Sequence, residues 1–351
     1  MIDERIKWID LAKVIGIWLV VLGHMELANT FLVSIIFAFH MPLFFFISGY
    51  LYKQKSIITS LKRNFSSLII PYITYYFLTW IWWFFVSYLR HPELFNHKQP
   101  VGEILIKPFL GLLSGVGYNT GDSTMINVPL WFLISMFVVS SLFSLIYNKA
   151  NYLVLILLTI LSGIASYLLS LLKIDLLLSV DSLLMALPFY VLGYFYRLLI
   201  IKKEIRVERN RSSILKMIMA LIFFMSILFL VTIYNGRVDI NYLKFGRNPL
   251  CFYTGGISGI VCTIIVCNLL SGIYNKLVIT IAKGTLLIMG FHGIFTGLLF
   301  LPLRTIRVDD NIIVTIIVSF MVLIISIPLI RIAEIKVPIL VGNRATEKNL
   351  T

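Results

Sequence analysis

Ten stretches of this chain are each apolar for about as long as a helix needs to cross a bilayer. They cover residues 8–27, 31–52, 66–89, 129–147, 152–172, 180–201, 213–233, 248–270, 277–301 and 312–332. Roughly 20 residues at 1.5 Å per residue span a hydrocarbon core of about 30 Å. Inside lipid each backbone N–H and C=O must be bonded within the protein, so a run of this kind can only be a helix. Composition agrees. Of the 351 residues, 59% are hydrophobic and 13% charged, against about 25% charged in soluble domains. The expectation is an all-α, polytopic integral membrane protein with about ten transmembrane helices in the cell (plasma) membrane.

The net charge of +14 does not signal a nucleic-acid partner, because the basic residues sit in short segments between apolar runs. Their distribution sets orientation. With the N-terminus inside, 21 of the 30 lysines and arginines fall on the cytoplasmic side and 9 outside. That favours both ends in the cytoplasm. The chain then reads as one transmembrane domain over 1–351. Six spans lie within 8–201, a cytoplasmic loop at 202–212, four spans within 213–332 and a cytoplasmic tail at 333–351. The first run is followed by Met25-Glu26-Leu27 rather than by a small-residue cleavage site, so it is expected to stay as a span. The long outer loop, 90–128, has an apolar middle (104–118) too short to span, which suits a re-entrant or surface-lying segment or a plain loop helix. Cys251, Cys262 and Cys267 match no metal motif and read as packing residues.

Ionisable groups inside a span are costly and point to function. The first span carries Asp10, Lys13 and His24. At 100° per residue, Lys13 and His24 differ by about 20° in azimuth, and Asp10 lies within about 60° of both. One polar stripe therefore runs down one helix face, with Lys13 and His24 about 16 Å apart along the axis. The simpler alternative is an Asp10–Lys13 pair that snorkels, with His24 bonded to a neighbouring helix. In the second span His40 stands beside Pro42, which should kink the helix, and Ser48-Gly49 permits close approach of another backbone. His24 and His40 could face one another as a dyad. His292, flanked by Gly290 and Gly293, is placed in the outer half of the ninth span. His91 and His97 are loop residues without special context. Trp80, Trp82 and Trp83 read as a membrane-interface belt.

These motifs resemble acyltransferase family 3, the membrane acyltransferases that modify bacterial surface polysaccharides. The residues carrying the resemblance are Lys13 and His24 within IDLAKVIGIWLVVLGH and FHMPLFFFISGYL from Phe39. With them go Lys62-Arg63 ahead of Pro71-Tyr72, PLWFLISMF from Pro129, LPFYVLGYFYR from Leu187, and His292. The tone is closest to the fucose 4-O-acetylase-like branch. Two positions depart from the family pattern. Lys13 stands where Arg is more frequent, which keeps the charge but loses the bidentate fork. Ser66 and Ser67 stand where many members carry a second Arg.

The resemblance implies transfer of an acyl group, in the first instance acetyl from acetyl-CoA, to a hydroxyl of a surface or lipid-linked glycan. No permanently bound cofactor or metal is expected. The implied catalytic residues are His24, His40 and Asp10. Lys13, Lys62 and Arg63 would hold the donor's phosphates, and His292, Trp131 and Tyr50 would line the site. His24 would act as base or acyl carrier, and His40 would orient it or stabilise an oxyanion. Membrane lipids and other polysaccharide-assembly proteins are the remaining expected partners. Two other readings share much of this pattern: a transporter or flippase of lipid-linked sugars, and a transmembrane N-acetyltransferase of amino sugars. The first would carry repeat symmetry and broken helices in matching positions.

Overall fold

The computed structural model describes residues 5–25, 30–90, 105–117, 119, 122–147, 151–174, 176–203, 211–305 and 312–342. Among these the fold is helical throughout. The helices are α1 (Lys7–Gly23), α2 (Thr30–Tyr50), α3 (Ile57–Asn64), α4 (Ile70–Arg90), α5 (Lys107–Ser114), α6 (Trp131–Tyr147) and α7 (Tyr152–Leu172). After them come α8 (Val180–Lys203), α9 (Arg211–Asn235), α10 (Pro249–Leu269), α11 (Lys276–Lys283), α12 (Thr285–Thr305) and α13 (Ile312–Lys336). His91 and His97 lie outside the described residues, as do 204–210 of the central loop and 343–351 of the tail.

Among the described residues, eight helical segments are long and apolar enough to cross a membrane, and a ninth forms if a bent pair is counted as one span. The expectation of ten differs from this at two places. α1 has only 17 residues, because it ends at Gly23 rather than running on to residue 27. The run 277–301 is not one straight helix: α11 and α12 meet at a bend of 79° around Gly284. A Cβ at Gly284 would lie 2.1 Å from the Ile330 side chain, so the corner closes only because no side chain stands there. The third apolar run, 66–89, lies inside a longer continuous helical stretch, Ile57–Leu89. The amphipathic helix α3 leads through one π turn (Phe65–Ile69) into α4.

α1 sits in the middle. It packs against α2, α10, α11, α12 and α13, and its Ile9, Leu11, Ala12, Ile17 and Val20 to Leu22 are buried. A helix carrying Asp10, Lys13 and His24 is thereby held away from lipid, as the cost of burying such groups in hydrocarbon requires. α7 and α9 are the opposite case. Apolar on all sides, they leave most of their surface outward (Leu153, Leu157 and Ile160 on α7; Met219, Ile222 and Phe223 on α9), where lipid is the fitting solvent.

The tightest crossing is between α2 and α8. A Cβ on Gly49 would fall 1.8 Å from the Tyr190 carbonyl oxygen, and one on Gly193 would fall 1.9 Å from that of Phe46. The two glycines let backbone meet backbone from both sides, the small-residue route to helix association in a membrane. Arg197 of α8 then donates to the carbonyls of Tyr50 and Tyr52 at the end of α2. Against that frame the middle of the long loop folds as α5, which lies against α4. Tyr72 and Tyr76 of α4 donate to the carbonyls of Leu112 and Pro108.

Candidate active site

His24 occupies the position just after the last turn of α1. Its backbone has φ −94° and ψ 0°, and its N–H still donates to Val20 O at 3.1 Å. Ending the helix here frees the side chain from the α1 surface. Its ring is 5.4 Å, centroid to centroid, from that of His292 on α12, with the planes inclined at 48°. Phe37 of α2 stands edge-on to His24 at 6.1 Å and to His40 at 5.0 Å. The structure therefore gives His24 the ring of His292 as a neighbour, while Phe37 is the aromatic contact it shares with His40.

Both other histidines are buried and both spend Nδ1 on a carbonyl of their own helix. The His40 bond to Ile36 O is 2.8 Å and the His292 bond to Met289 O is 2.8 Å. A carbonyl only accepts, so Nδ1 carries the proton in each ring and the neutral imidazole keeps its lone pair at Nε2. α12 is held at this level by Asn127, whose side-chain N–H donates to Gly290 O at 2.8 Å.

Two cavities meet at His24. One, about 410 Å³ and named the outer cavity for the side that the basic residues predict to be outside, is lined by His24, His40, Phe37 and Trp131 and is roofed by Arg237, Asp239 and Asn241. The inner one, about 240 Å³, runs from His24 past Phe44, Ile47 and Met136 to Lys13, Ser67 and Gly342. His24, Met41 and Trp131 line both. His24 is itself exposed, whereas Trp131 is buried and forms a fixed wall. The inner wall is mostly apolar, with Lys13 as its charged member. It is completed by the segment Pro338–Val341, which Tyr75 holds by donating to Leu340 O.

The remaining expected residues lie elsewhere. Asp10 is not in either cavity. Arg5 grips it with two hydrogen bonds, 2.8 Å from Nε and 2.7 Å from Nη2, and the Tyr274 hydroxyl donates to it at 2.7 Å. It thus ties the start of α1 to the turn before α11. The pairing of Asp10 with Lys13 considered from sequence is displaced by this stronger, bidentate partner. Lys62 and Arg63 sit in the last turn of α3 and do not line the inner cavity. Ser67 and Leu68, just beyond them, do. Tyr50 packs under α1 against Trp8 at 5.0 Å, at the opposite end of the molecule from His24.

The roof of the outer cavity was not singled out from sequence. Residues 236–248 connect α9 to α10 and form a compact cap. Asp239 and Lys244 exchange two backbone hydrogen bonds of 2.8 Å. Asn235 clasps the loop's ends, donating to Phe245 O at 2.7 Å and accepting from Asn248 N at 2.7 Å. Ser182 and Ser170 pin it to α8 and α7 through Ile240 O and Leu243 O, and Asn241 donates to Gly117 O at 2.8 Å. The Asp239 carboxyl accepts from Asn241 N at 3.0 Å. Burial pushes its pKa up to about 6, opposed by that bond and by the charges of Arg237 and Lys244. The available signal was the basic content of a loop on the side where basic residues are scarce.

A helical protein with membrane-spanning segments and an exposed histidine where two cavities converge has the form of a polytopic membrane enzyme. The comparison with known families makes this specific. Residues 6–331 match the family described as Acyltransferase domain, and the chain belongs to that family of membrane acyltransferases. Neither a curated protein nor a solved structure matches it.

Proposed function

We propose that this acyltransferase moves an acetyl group from acetyl-CoA on the cytoplasmic side to a hydroxyl of a glycan on the outer side, with His24 as the base. The observation that carries this is the shared lining: His24 faces an apolar cavity that ends at Lys13 and a more polar one at the opposite end. The pantetheine arm suits the first and a sugar suits the second. The side assignment rests on the distribution of basic residues.

In the proposed step the ring nitrogen of His24 takes the proton of the acceptor hydroxyl as its oxygen attacks the thioester carbonyl carbon. The tetrahedral adduct collapses, the C–S bond breaks, and the leaving thiolate recovers the proton from the imidazolium. Ester and CoA thiol are formed, and His24 returns neutral. The ring of His292, 5.4 Å away between centroids, suits a role in orienting His24 when substrate is bound. His40 has its N–H committed to Ile36 O, which suits a role in holding Phe37 and the outer wall more than one in donating to an oxyanion. Lys13 would meet the donor, with Lys62 and Arg63 guiding its phosphates at the membrane surface. The acceptor branch nearest in sequence tone is that of the fucose 4-O-acetylases.

The test is glycan mass spectrometry in a deletion strain carrying each variant at matched membrane abundance. His24→Ala should remove acetylation, since losing a general base costs about 10²- to 10⁴-fold in rate. Lys13→Ala should raise the KM for acetyl-CoA, and Lys13→Arg should restore it. Wild-type acetylation by His24→Ala would refute the assignment. The rival transport reading has less support, because the one broken helix, at Gly284, has no counterpart among the described residues of the first half.

A further inference from the structure

The cap over the outer cavity concentrates positive charge on the side of the protein where it is scarce. Of the nine basic residues that the sequence places outside, three fall in the eleven residues 237–247: Arg237, Lys244 and Arg247. Asp239 is the acidic residue of that stretch, and it is committed to its own turn. None of the three cations forms an ion pair among the described residues. Each rests instead on an aromatic ring. The Arg237 guanidinium lies 4.4 Å from the Phe37 ring centre, the Lys244 ammonium 5.1 Å from that of Tyr242, and the Arg247 guanidinium 6.0 Å from that of Tyr234. A cation held over a ring is oriented but keeps its N–H donors for another acceptor. For Arg237 the position matters most. Its platform, Phe37, is the residue that touches both His24 and His40, and Arg237 lines the same cavity as His24.

A second feature of the roof points the same way. Asn241 is buried and lines the cavity. Its amide N–H₂ is used by Gly117 O, but its Oδ1 has no hydrogen-bond partner. A buried acceptor left in this state is costly unless a ligand supplies the donor.

We infer that the cap selects an anionic acceptor: a glycan whose carboxylate or phosphate oxygens are taken by Arg237, with Lys244 and Arg247 drawing it in and Asn241 Oδ1 accepting from one of its hydroxyls. This rests on the acyl-transfer reading and names the substrate class of its outer cavity. A planar guanidinium with unclaimed donors matches the two oxygens of a carboxylate or phosphate, and the cluster steers such a group toward His24. A neutral sugar would leave all three cations unused.

The test uses the full-length protein in nanodiscs with acetyl-CoA and three acceptors. One is a uronic-acid disaccharide. The second is the same disaccharide with its carboxyl group reduced to the alcohol. The third is the reduced disaccharide on a polyprenyl diphosphate. Wild type should use one of the anionic acceptors with a kcat/KM at least about 10-fold above the reduced one, and the preferred anion tells its source. That advantage should shrink as salt is raised to about 0.5 M, as exposed charges are screened. Arg237→Gln should lower the ratio several-fold, and the triple variant Arg237→Gln, Lys244→Gln, Arg247→Gln should bring it to about 1, with Arg237→Lys restoring part of it. Gel filtration checks that each variant is folded. Equal use of all three acceptors by wild type, transfer to none, or a preference that survives the triple variant would overturn the inference. Continued transfer by His24→Ala would instead overturn the acyl-transfer reading beneath it.

Discussion

Position along the helix decides what each ionisable residue of α1 can do. Asp10, near the start, is held by Arg5 and Tyr274 and ties that end of α1 to the turn before α11. Lys13, one turn later, reaches the inner cavity, and His24, at the far end, reaches both cavities. The stripe read from helical periodicity is therefore one face with three separate surroundings, which spacing alone does not distinguish. The roof adds a residue whose chemistry can be tested on its own. Folding raises the Asp239 pKa from near 4 to about 6, so the folded state holds the proton more tightly than the unfolded one. Its carboxyl should then cost no stability below about pH 4, a growing amount between about pH 4 and 6, and a constant amount above. Asp239→Asn keeps an oxygen for the Asn241 N–H and removes the charge. The melting temperature of wild type relative to this variant should fall across that window and be level above it. A difference independent of pH would mean that Asp239 titrates normally. The histidines were legible because an ionisable residue stands out in an apolar run. Arg237, Asp239 and Asn241 were not, because a polar loop between spans carries no periodicity to mark which residues turn inward.

Among the elements, the hydrophobic runs found nearly all the membrane helices, because the need for about 20 apolar residues leaves its mark in composition. Hydropathy does not register direction, however. The 79° bend between α11 and α12 lies within an unbroken apolar stretch, and its sign in the sequence was one glycine among 21. The early end of α1 was likewise hidden, since Met25 and Leu27 extend the apolar run past Gly23. The Ser48-Gly49 pair was read correctly as a site of close approach, and the structure supplies the partner, α8. This crossing gives a prediction at the same scale. Gly193→Val should force α2 and α8 apart, because the new Cβ would meet the carbonyl of Phe46 rather than a side chain able to turn away. Overpacking typically costs about 1–3 kcal/mol, and backbone contact should put this case at the upper end or beyond. In nanodiscs the variant should melt well below wild type, and Gly297→Val, where a Cβ meets nothing within 4 Å, should not.

For the whole molecule, the arrangement matters under the proposed function because a CoA donor and a glycan acceptor would lie on different sides of the membrane. A polyanionic CoA is not expected to cross a bilayer, and a surface glycan does not return to the cytoplasm. In the proposed arrangement, a cavity for each substrate with His24 between them removes the need for either to cross. Met41 and Trp131 line both cavities together with His24, and the proposed reaction would take place where the three meet. Proteoliposomes with acetyl-CoA sealed inside and glycan acceptor outside test this most directly. Orientation is read separately from reporters fused after Lys55 and at the C-terminus, both expected on the donor side. Wild type should deliver acetyl groups to the outside acceptor, with CoA thiol appearing inside in equal amount, and His24→Ala should deliver none. Acetylation only when donor and acceptor share one compartment, or undiminished transfer by His24→Ala, would contradict the account.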